Sequence, residues 1–140
     1  MDDRGGHILI ADDNKVNRLL LSRSVEMLGY QASVAENGKI AMERLREDPF
    51  DLLLLDIEMP EMDGFETALN IRMLNTDEIP IIALSAHSLD SDKKKAIESG
   101  MDFYLSKPVK TEELLSTIHQ CVHKSSNYLS ISKQTFDINR

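Results

Sequence analysis

The sequence predicts an α/β fold in which five βα units form one doubly wound parallel sheet. The main evidence is three short apolar runs, because strands that are buried on both faces of a parallel sheet carry continuous apolar residues. Longer amphipathic stretches separate these runs, as crossover helices would. The apolar runs are residues 8–11, 52–55 and 81–84.

Two further strand candidates complete the predicted sheet. Residues 31–35 mix polar and apolar side chains, which is typical of an edge strand, and residues 101–106 form the fifth candidate. Right-handed crossovers leave few topologies for five such units. The flavodoxin-like order 2-1-3-4-5 places the polar second strand at an edge, as its composition requires.

Capping residues and periodicity define the helices between these strands. The first helix follows the N-cap candidate Asn14 and ends at Gly29, the second follows the Asn37-Gly38 turn, and the third follows Asp63. The first helix is predicted to bury an inner side made of Val16, Leu20, Leu21, Val25 and Leu28.

The fourth helix is the weakest of the five predicted helices. Between Ser85 and Gly100 its only bulky apolar residues are Leu89 and Ile97. We therefore expect it to bury little surface and to dock loosely. The fifth helix, by contrast, carries a clear apolar stripe over residues 114–122.

The length of 140 residues favours one domain. We assign residues 7–124 to that domain, residues 1–6 to an N-terminal extension and residues 125–140 to a polar C-terminal tail or linker. The alternative for the last segment is the first turn of a further domain, since it contains Ile131, Phe136 and Ile138.

Composition excludes several classes of function. With 24 acidic and 16 basic residues, the net charge of −8 argues against direct binding of nucleic acid, and Lys93-Lys94-Lys95 is most simply a solvated helical turn. No apolar run approaches the length of a membrane span, so we expect no membrane insertion. The single cysteine, Cys121, excludes an internal disulfide and favours a cytoplasmic setting.

Polar residues that could carry chemistry follow four of the five predicted strands. Because the carboxyl ends of parallel strands lie on one rim, these side chains should converge there. Crowded carboxylates repel one another and require a counter-ion, and an all-oxygen ligand set favours Mg²⁺, with Mn²⁺ as a substitute, over zinc. The residues concerned are Asp12, Asp13, Asp56, Glu58, Ser85 and Lys107.

This constellation suits the formation of an aspartyl phosphate. A carboxylate serves as the nucleophile, Lys107 neutralises a phosphoryl oxygen, and Ser85 donates a hydrogen bond to another. Asp12 and Asp13 taken alone would be no more than a solvated turn or a helix cap. The convergence with Asp56 and Lys107 is what favours the chemical interpretation.

Four segments resemble the receiver domain of two-component and phosphorelay response regulators. They are residues 10–14, with the acid pair, 55–64, 83–86 and 100–108, and together they extend the resemblance over residues 7–124. The segments 13–18 and 106–108 look most like receivers of hybrid histidine kinases.

The resemblance implies a role for each site residue. Asp56 would accept a phosphoryl group from the phosphohistidine of a histidine kinase or histidine phosphotransfer protein. Asp13, Asp56 and the backbone carbonyl of Glu58 would bind Mg²⁺, with Asp12 acting nearby, often through water. Ser85 and Lys107 would hold phosphoryl oxygens, Tyr104 would change rotamer, and the Lys107-Pro108 bond would be cis.

The predicted output is a change of surface. Ser85 moves toward the new charge and Tyr104 rotates inward to fill the vacated space, so the partner-binding face should be the fourth helix, the fifth strand and the fifth helix. Such a chain catalyses its own phosphorylation and slow dephosphorylation, and it is not expected to turn over a separate substrate.

Two other functions are compatible with parts of the pattern. One is a magnesium-dependent phosphohydrolase, although that class usually places its nucleophile on the first strand. The other is a phosphorylation-independent pseudo-receiver, although such proteins usually lose an acid or the lysine. His119 and His123 are spaced as a metal pair on a helix, but without a third ligand a surface pair is the simpler interpretation.

Overall fold

Five strands and five helices alternate along the chain. The computed structural model describes residues 6–74, 79–87 and 89–122. The elements are β1 His7–Ala11, α1 Lys15–Met27, β2 Gln31–Ala35, α2 Gly38–Glu47, β3 Leu52–Asp56, α3 Gly64–Leu74, β4 Ile81–Ser85, α4 Asp90–Glu98, β5 Phe103–Ser106 and α5 Thr111–Val122.

The five strands form one parallel sheet in the order β2-β1-β3-β4-β5, so the predicted fold class and strand order are confirmed. The register aligns the strand ends. Ala11 pairs with Leu55, Asp56 pairs with Leu84, and Ser85 pairs with Ser106. The residues that follow these pairs therefore leave the sheet on a common rim.

Two apolar cores cover the two faces of the sheet. Alternate residues of each strand enter opposite cores, because successive side chains in a strand point to opposite faces. Leu53 and Leu55 pack with residues of α2 and α3, whereas Leu52 and Leu54 pack with residues of α1 and α5. All five residues of β3 are buried, which fixes the strand that ends in Asp56.

The three predicted N-caps form as expected. Asn14 Oδ1 accepts from Asn17 N at 2.9 Å and Asn37 Oδ1 accepts from Ile40 N at 2.8 Å. Asp63 Oδ1 accepts from Glu66 N at 2.9 Å. These bonds satisfy backbone donors in the first helical turn and fix where each helix leaves the rim.

The predicted inner side of α1 is partly wrong. Val25 is fully buried, but Val16 and Leu20 are 61% and 57% exposed. Leu21, Val25 and Leu28 meet the sheet, whereas Val16 and Leu20 lie on a neighbouring stripe of the same helix. One helix thus carries two apolar stripes, and the sheet covers one of them.

The small buried surface predicted for α4 is confirmed, and its loose docking stays a prediction. Within residues 90–98, all of which the structure describes, only Ala96 is buried. Leu89 and Ile97 are 57% and 48% exposed. The next residues are tied more firmly, because the Arg72 guanidinium donates to Gly100 O at 2.8 and 2.9 Å.

The predicted domain limits are only partly within the described residues. Gly6, assigned to the N-terminal extension, is buried, and its carbonyl accepts from Gln31 N at 2.9 Å. Residues 1–5 and 123–140, including His123 and the predicted tail, lie outside the described residues, so their assignment stays a prediction. None of the helices in the described part of the chain is long and apolar enough to cross a membrane.

Candidate functional site

Three carboxylates meet at the rim formed by the ends of β1 and β3. Asp12, Asp13 and Asp56 each offer an oxygen, and these oxygens lie within 4.8 Å of one another. Asp12 is fully buried, Asp56 is 2% exposed, and Asp13 is exposed. The predicted convergence of the acids is therefore observed, with one carboxylate open to solvent.

Lys107 reaches the same cluster from the residue that follows β5. Its Nζ lies 3.0 Å from Asp56 Oδ1 and 3.5 Å from Asp12 Oδ2. The Lys107-Pro108 peptide bond is cis, as the resemblance implied. Three acids and one ammonium leave the cluster with an excess of negative charge.

The surroundings shift the pKa of both partners in this ion pair. Burial raises the pKa of Asp56 to about 6, the hydrogen bond from Lys107 opposes that effect, and the charge of Asp12 adds to it. Burial alone would lower the pKa of Lys107. The hydrogen bond and charge of Asp56, together with the charge of Asp12, outweigh burial and raise it.

The surroundings of the Asp12 carboxylate indicate whether a cation fits at the acid cluster. Its Oδ1 accepts from Asn14 N at 2.9 Å, but its Oδ2 is buried without a hydrogen-bond donor among the described residues. The ammonium of Lys107, 3.5 Å away, provides only an ion pair. A buried oxygen without a donor, beside two other carboxylates, fits a hard divalent cation such as Mg²⁺.

Ser85 ends β4 and is fully buried, and its hydroxyl is engaged by the loop after β3. Ser85 Oγ donates to Glu58 Oε2 at 3.0 Å, and Ala86 N donates to Glu58 Oε1 at 3.2 Å. His87 N in turn donates to Ser85 Oγ at 3.0 Å. The exposed Glu58 side chain is therefore held across the rim by two donors of the β4 end.

Tyr104 lies on β5 beside this segment and is 4% exposed. Its hydroxyl donates to His87 O at 2.8 Å, and burial raises the pKa of the phenol. Tyr104 is therefore already turned inward in this structure, so the predicted inward rotation has no outward starting position here. Ser85, His87 and Tyr104 thus form one connected set of hydrogen bonds.

Gly64 brings α3 against the backbone of the phosphoacceptor candidate. A Cβ atom at Gly64 would lie 2.6 Å from Asp56 O and 2.7 Å from Ile57 Cα, both backbone atoms. Gly64 N also donates to Ile57 O at 2.9 Å. Glycine is therefore required for the close approach that fixes residues 56–58.

Two groups at the site received no role from the sequence, although both lie in segments that carry the resemblance. The Arg18 guanidinium donates to Asp12 O at 2.9 Å from one turn into α1, and Ala86 contributes a backbone N–H. The spacing of Arg18 from the acid pair is the signal that could have suggested it. A backbone donor carries no signal in the sequence.

Residues 8–119 match the family described as the response regulator receiver domain. This chain belongs to that family. The receiver is 34% identical over 122 residues to the sensor histidine kinase GacS of Pseudomonas protegens, an alignment that covers 84% of this chain and 13% of GacS.

Solved structures with the same fold include the receiver domain of sensor histidine kinase PA1611 from Pseudomonas aeruginosa PAO1, which has a magnesium ion coordinated in its active-site cleft. It is 31% identical, with a TM-score of 0.79, and the alignment covers 86% of this receiver and 99% of that chain. A second is the Saccharomyces cerevisiae co-crystal of the phosphotransfer protein Ypd1 with the receiver domain of Ssk1. It is 28% identical, with a TM-score of 0.79, and the alignment covers 85% and 90% of the two chains.

The receiver is similar in sequence to part of several much longer signalling proteins. Their names include sensor histidine kinases and a hybrid signal transduction protein, and this receiver spans between 7% and 14% of the length of those relatives.

Proposed function

We propose that this receiver accepts a phosphoryl group on Asp56 from a phosphohistidine and thereby changes a partner-binding surface. The observation that carries the proposal is the buried Asp56 carboxylate, hydrogen-bonded to Lys107 Nζ at 3.0 Å and within 4.8 Å of two further acids. A structural ion pair would not need the additional crowded carboxylates, whereas a phosphoryl-transfer site uses all of these groups.

The proposed transfer is an in-line displacement at phosphorus. The two described contacts of the Asp56 carboxylate, from Lys107 Nζ and from Glu58 N at 3.1 Å, are both to Oδ1. Oδ2 forms the new P–O bond while the P–N bond to the donor imidazole breaks. The electron pair of that bond returns to the imidazole nitrogen, which takes up a proton from solvent.

Asp12, Asp13, Asp56 and the backbone carbonyl of Glu58 would hold Mg²⁺, with Mn²⁺ as a substitute. The bound ion would supply positive charge that offsets the charge of the acids and of the phosphoryl oxygens. Lys107 and Ser85 then hold two phosphoryl oxygens, and Tyr104 follows the movement of residues 85–87. The receiver acts on itself and turns over no separate substrate.

The donor is proposed to be a histidine kinase or a histidine phosphotransfer protein, which contacts the receiver over the start of α1. α1 begins just after the acid pair. Its exposed Val16 and Leu20, the apolar stripe that the sheet does not cover, lie beside the rim. A cleft of about 180 Å³, lined in part by Leu20, Lys107 and Pro108, continues this stripe. A donor that brings its histidine to Asp56 would bury this surface.

The output surface is proposed to be α4, β5 and α5, acting on a downstream protein or an attached domain in the cytoplasm. The weak anchoring of α4 and the contact of Tyr104 with His87 support this choice, because small shifts at Ser85 reach α4 through few side chains. No direct contact with nucleic acid or insertion into a membrane forms part of the proposal.

Incubation with acetyl phosphate and Mg²⁺ tests the chemistry. The intact mass should rise by one phosphoryl group, and the gain should disappear in EDTA and in Asp56→Asn. Asp48→Asn, which changes the C-cap at the far end of α2, should be labelled like the unsubstituted chain. Labelling that survives in Asp56→Asn would move the acceptor elsewhere, and no labelling of the unsubstituted chain would favour the pseudo-receiver alternative.

The donor surface has a separate test. Leu20→Ser should lower the rate of transfer from a phosphorylated histidine phosphotransfer protein severalfold and leave labelling by acetyl phosphate unchanged. Leu69→Ser, at an exposed apolar position of α3, serves as the matched control. Equal rates for Leu20→Ser and the unsubstituted chain would place the donor on another face.

A further inference from the structure

The Glu58 side chain has no role in the transfer described above, although it accepts two hydrogen bonds at the end of β4. Its two carboxylate oxygens accept separately, Oε2 from Ser85 Oγ at 3.0 Å and Oε1 from Ala86 N at 3.2 Å. An anion held by one hydroxyl and one adjacent backbone N–H is the arrangement that a phosphoryl group would also require. Glu58 therefore occupies two hydrogen-bond donors at the rim of the sheet where Asp56 lies.

The position of Glu58 in the chain makes this contact possible. Residue 58 is two positions beyond Asp56, and its backbone N donates to Asp56 Oδ1 at 3.1 Å. The backbone of residue 58 is thus fixed to the phosphoacceptor candidate while the side chain extends toward the end of β4. Carboxylate and acceptor are attached to the same short segment, so they approach Ser85 together.

A phosphoryl group and the Glu58 carboxylate cannot both use these donors. Ser85 Oγ has one hydrogen to donate, and Ala86 N has one. The Glu58 carboxylate and a phosphoryl group that shared these donors would also repel each other, because both are negatively charged and the site is only partly open to solvent. Glu58 must leave before Ser85 can turn toward a group on Asp56.

We propose that Glu58 is an internal competitor for the phosphoryl group, which occupies Ser85 and Ala86 in the resting receiver and is displaced on phosphorylation. This inference rests on the proposed function and identifies a residue that sets the affinity of the site for a phosphoryl group. It also assigns a resting state to residues 85–87, because His87 N and Tyr104 OH complete the same set of hydrogen bonds.

Removal of the competitor should strengthen binding of an anion at the site. The probe is beryllofluoride in the presence of Mg²⁺, titrated into the full chain and followed by NMR. Glu58→Ala should lower the dissociation constant by about threefold or more, which is the modest effect expected when one hydrogen-bonded contact at an exposed carboxylate is lost. Glu58→Gln should act in the same direction, because one amide oxygen cannot accept from both donors in the present arrangement.

Glu61→Gln is the matched control, since Glu61 is an exposed acid in the same loop. It removes the same charge three residues away. If charge alone weakened binding of the anion, Glu58→Gln and Glu61→Gln would tighten it equally, and that result would overturn the proposal. Weaker binding in Glu58→Ala would overturn it as well, because Glu58 would then assist the anion.

A second measurement needs no anion. In the free receiver, the amide proton of Ala86 should shift upfield in Glu58→Gln, because it loses a carboxylate acceptor. The same resonance should remain unchanged in Glu61→Gln. An unchanged Ala86 resonance in Glu58→Gln would show that Ala86 N does not donate to Glu58 in the free receiver, and the proposal depends on that contact. If beryllofluoride binds the unsubstituted chain and Glu58→Ala with equal affinity, the role of Glu58 as a competitor is wrong and the proposed function stands. If beryllofluoride binds neither protein, the proposed function is wrong as well.

Discussion

Lys107 Nζ lies 3.0 Å from Asp56 Oδ1, and this contact joins the end of β5 to the end of β3 across the rim. The ammonium is 3.5 Å from Asp12 as well, so one side chain partly neutralises two buried carboxylates. Stability of the fold and the proposed binding of a phosphoryl group would therefore depend on the same charge balance.

Lys107→Met should destabilise the metal-free receiver. It leaves Asp12 and Asp56 buried without their cation, and the free energy of unfolding at pH 8 in EDTA should fall by about 2 kcal/mol. Chemical denaturation gives the value, with Lys110→Met at an exposed position as the control. Mg²⁺ should restore part of the loss, and equal stability of the two variants in EDTA would contradict the charge balance described.

The raised pKa of Asp56 predicts a dependence of stability on pH in EDTA. Because its pKa is about 6 in the folded chain against an ordinary value of 3.8, the folded state binds this proton more tightly than the unfolded state. The charged carboxylate therefore costs stability above about pH 6, and the cost disappears as the pH falls toward 4.

Asp56→Asn removes that contribution. At pH 8 the variant should be more stable than the unsubstituted chain by about 2–3 kcal/mol, and at pH 4 the two should be nearly equal. Denaturation curves across this range measure the difference, and Asp48→Asn is the control. If the variant were instead less stable than the unsubstituted chain at pH 8, the pKa of Asp56 would be lowered in the folded chain.

Asp13→Asn should weaken binding of Mg²⁺ by about tenfold, because it replaces one of the three carboxylates of the cluster with a neutral amide. In EDTA the same change should make the fold slightly more stable, since a charge beside two buried carboxylates is gone. Calorimetric titration and thermal denaturation provide the two readouts. A less stable variant in EDTA would show that the three acids do not repel one another.

Gly64→Ala should disturb the site through backbone contact alone. The added Cβ meets Asp56 O and Ile57 Cα, neither of which can rotate away, so we expect a loss of about 2–3 kcal/mol and slower labelling of Asp56. Gly29→Ala is the matched control. Its φ of +98° is strained for alanine, but nothing lies within 4 Å of the new Cβ, so its cost should be about 1 kcal/mol without effect on labelling.

The sheet could be predicted from sequence because its strands are buried on both faces. β3 and β4 consist almost entirely of large apolar residues that end in Asp56 and Ser85, and few alternatives to a parallel sheet accommodate such runs. Once the strands were placed, the rim and its acids followed from the topology. The N-caps Asn14, Asn37 and Asp63 could be predicted equally well, since capping depends on local sequence.

Packing of side chains was harder to predict. Val16 and Leu20 satisfy helical periodicity as well as Val25 does, and periodicity alone does not say which stripe meets the sheet. The contact between Glu58 and Ser85 joins residues that are 27 positions apart through one rotamer of a loop side chain. No pattern in the sequence records a rotamer, so this contact emerged only from the structure.

α4 gives one alanine, Ala96, to the core of the molecule. Most of its remaining positions are exposed, so substitutions at those positions should cost little in folding. If α4 forms part of the proposed output surface, folding and choice of partner depend on different residues, the first on the strands and the second on an outward helix. New signalling specificity could arise on α4 by substitutions that leave the acid cluster and the sheet untouched.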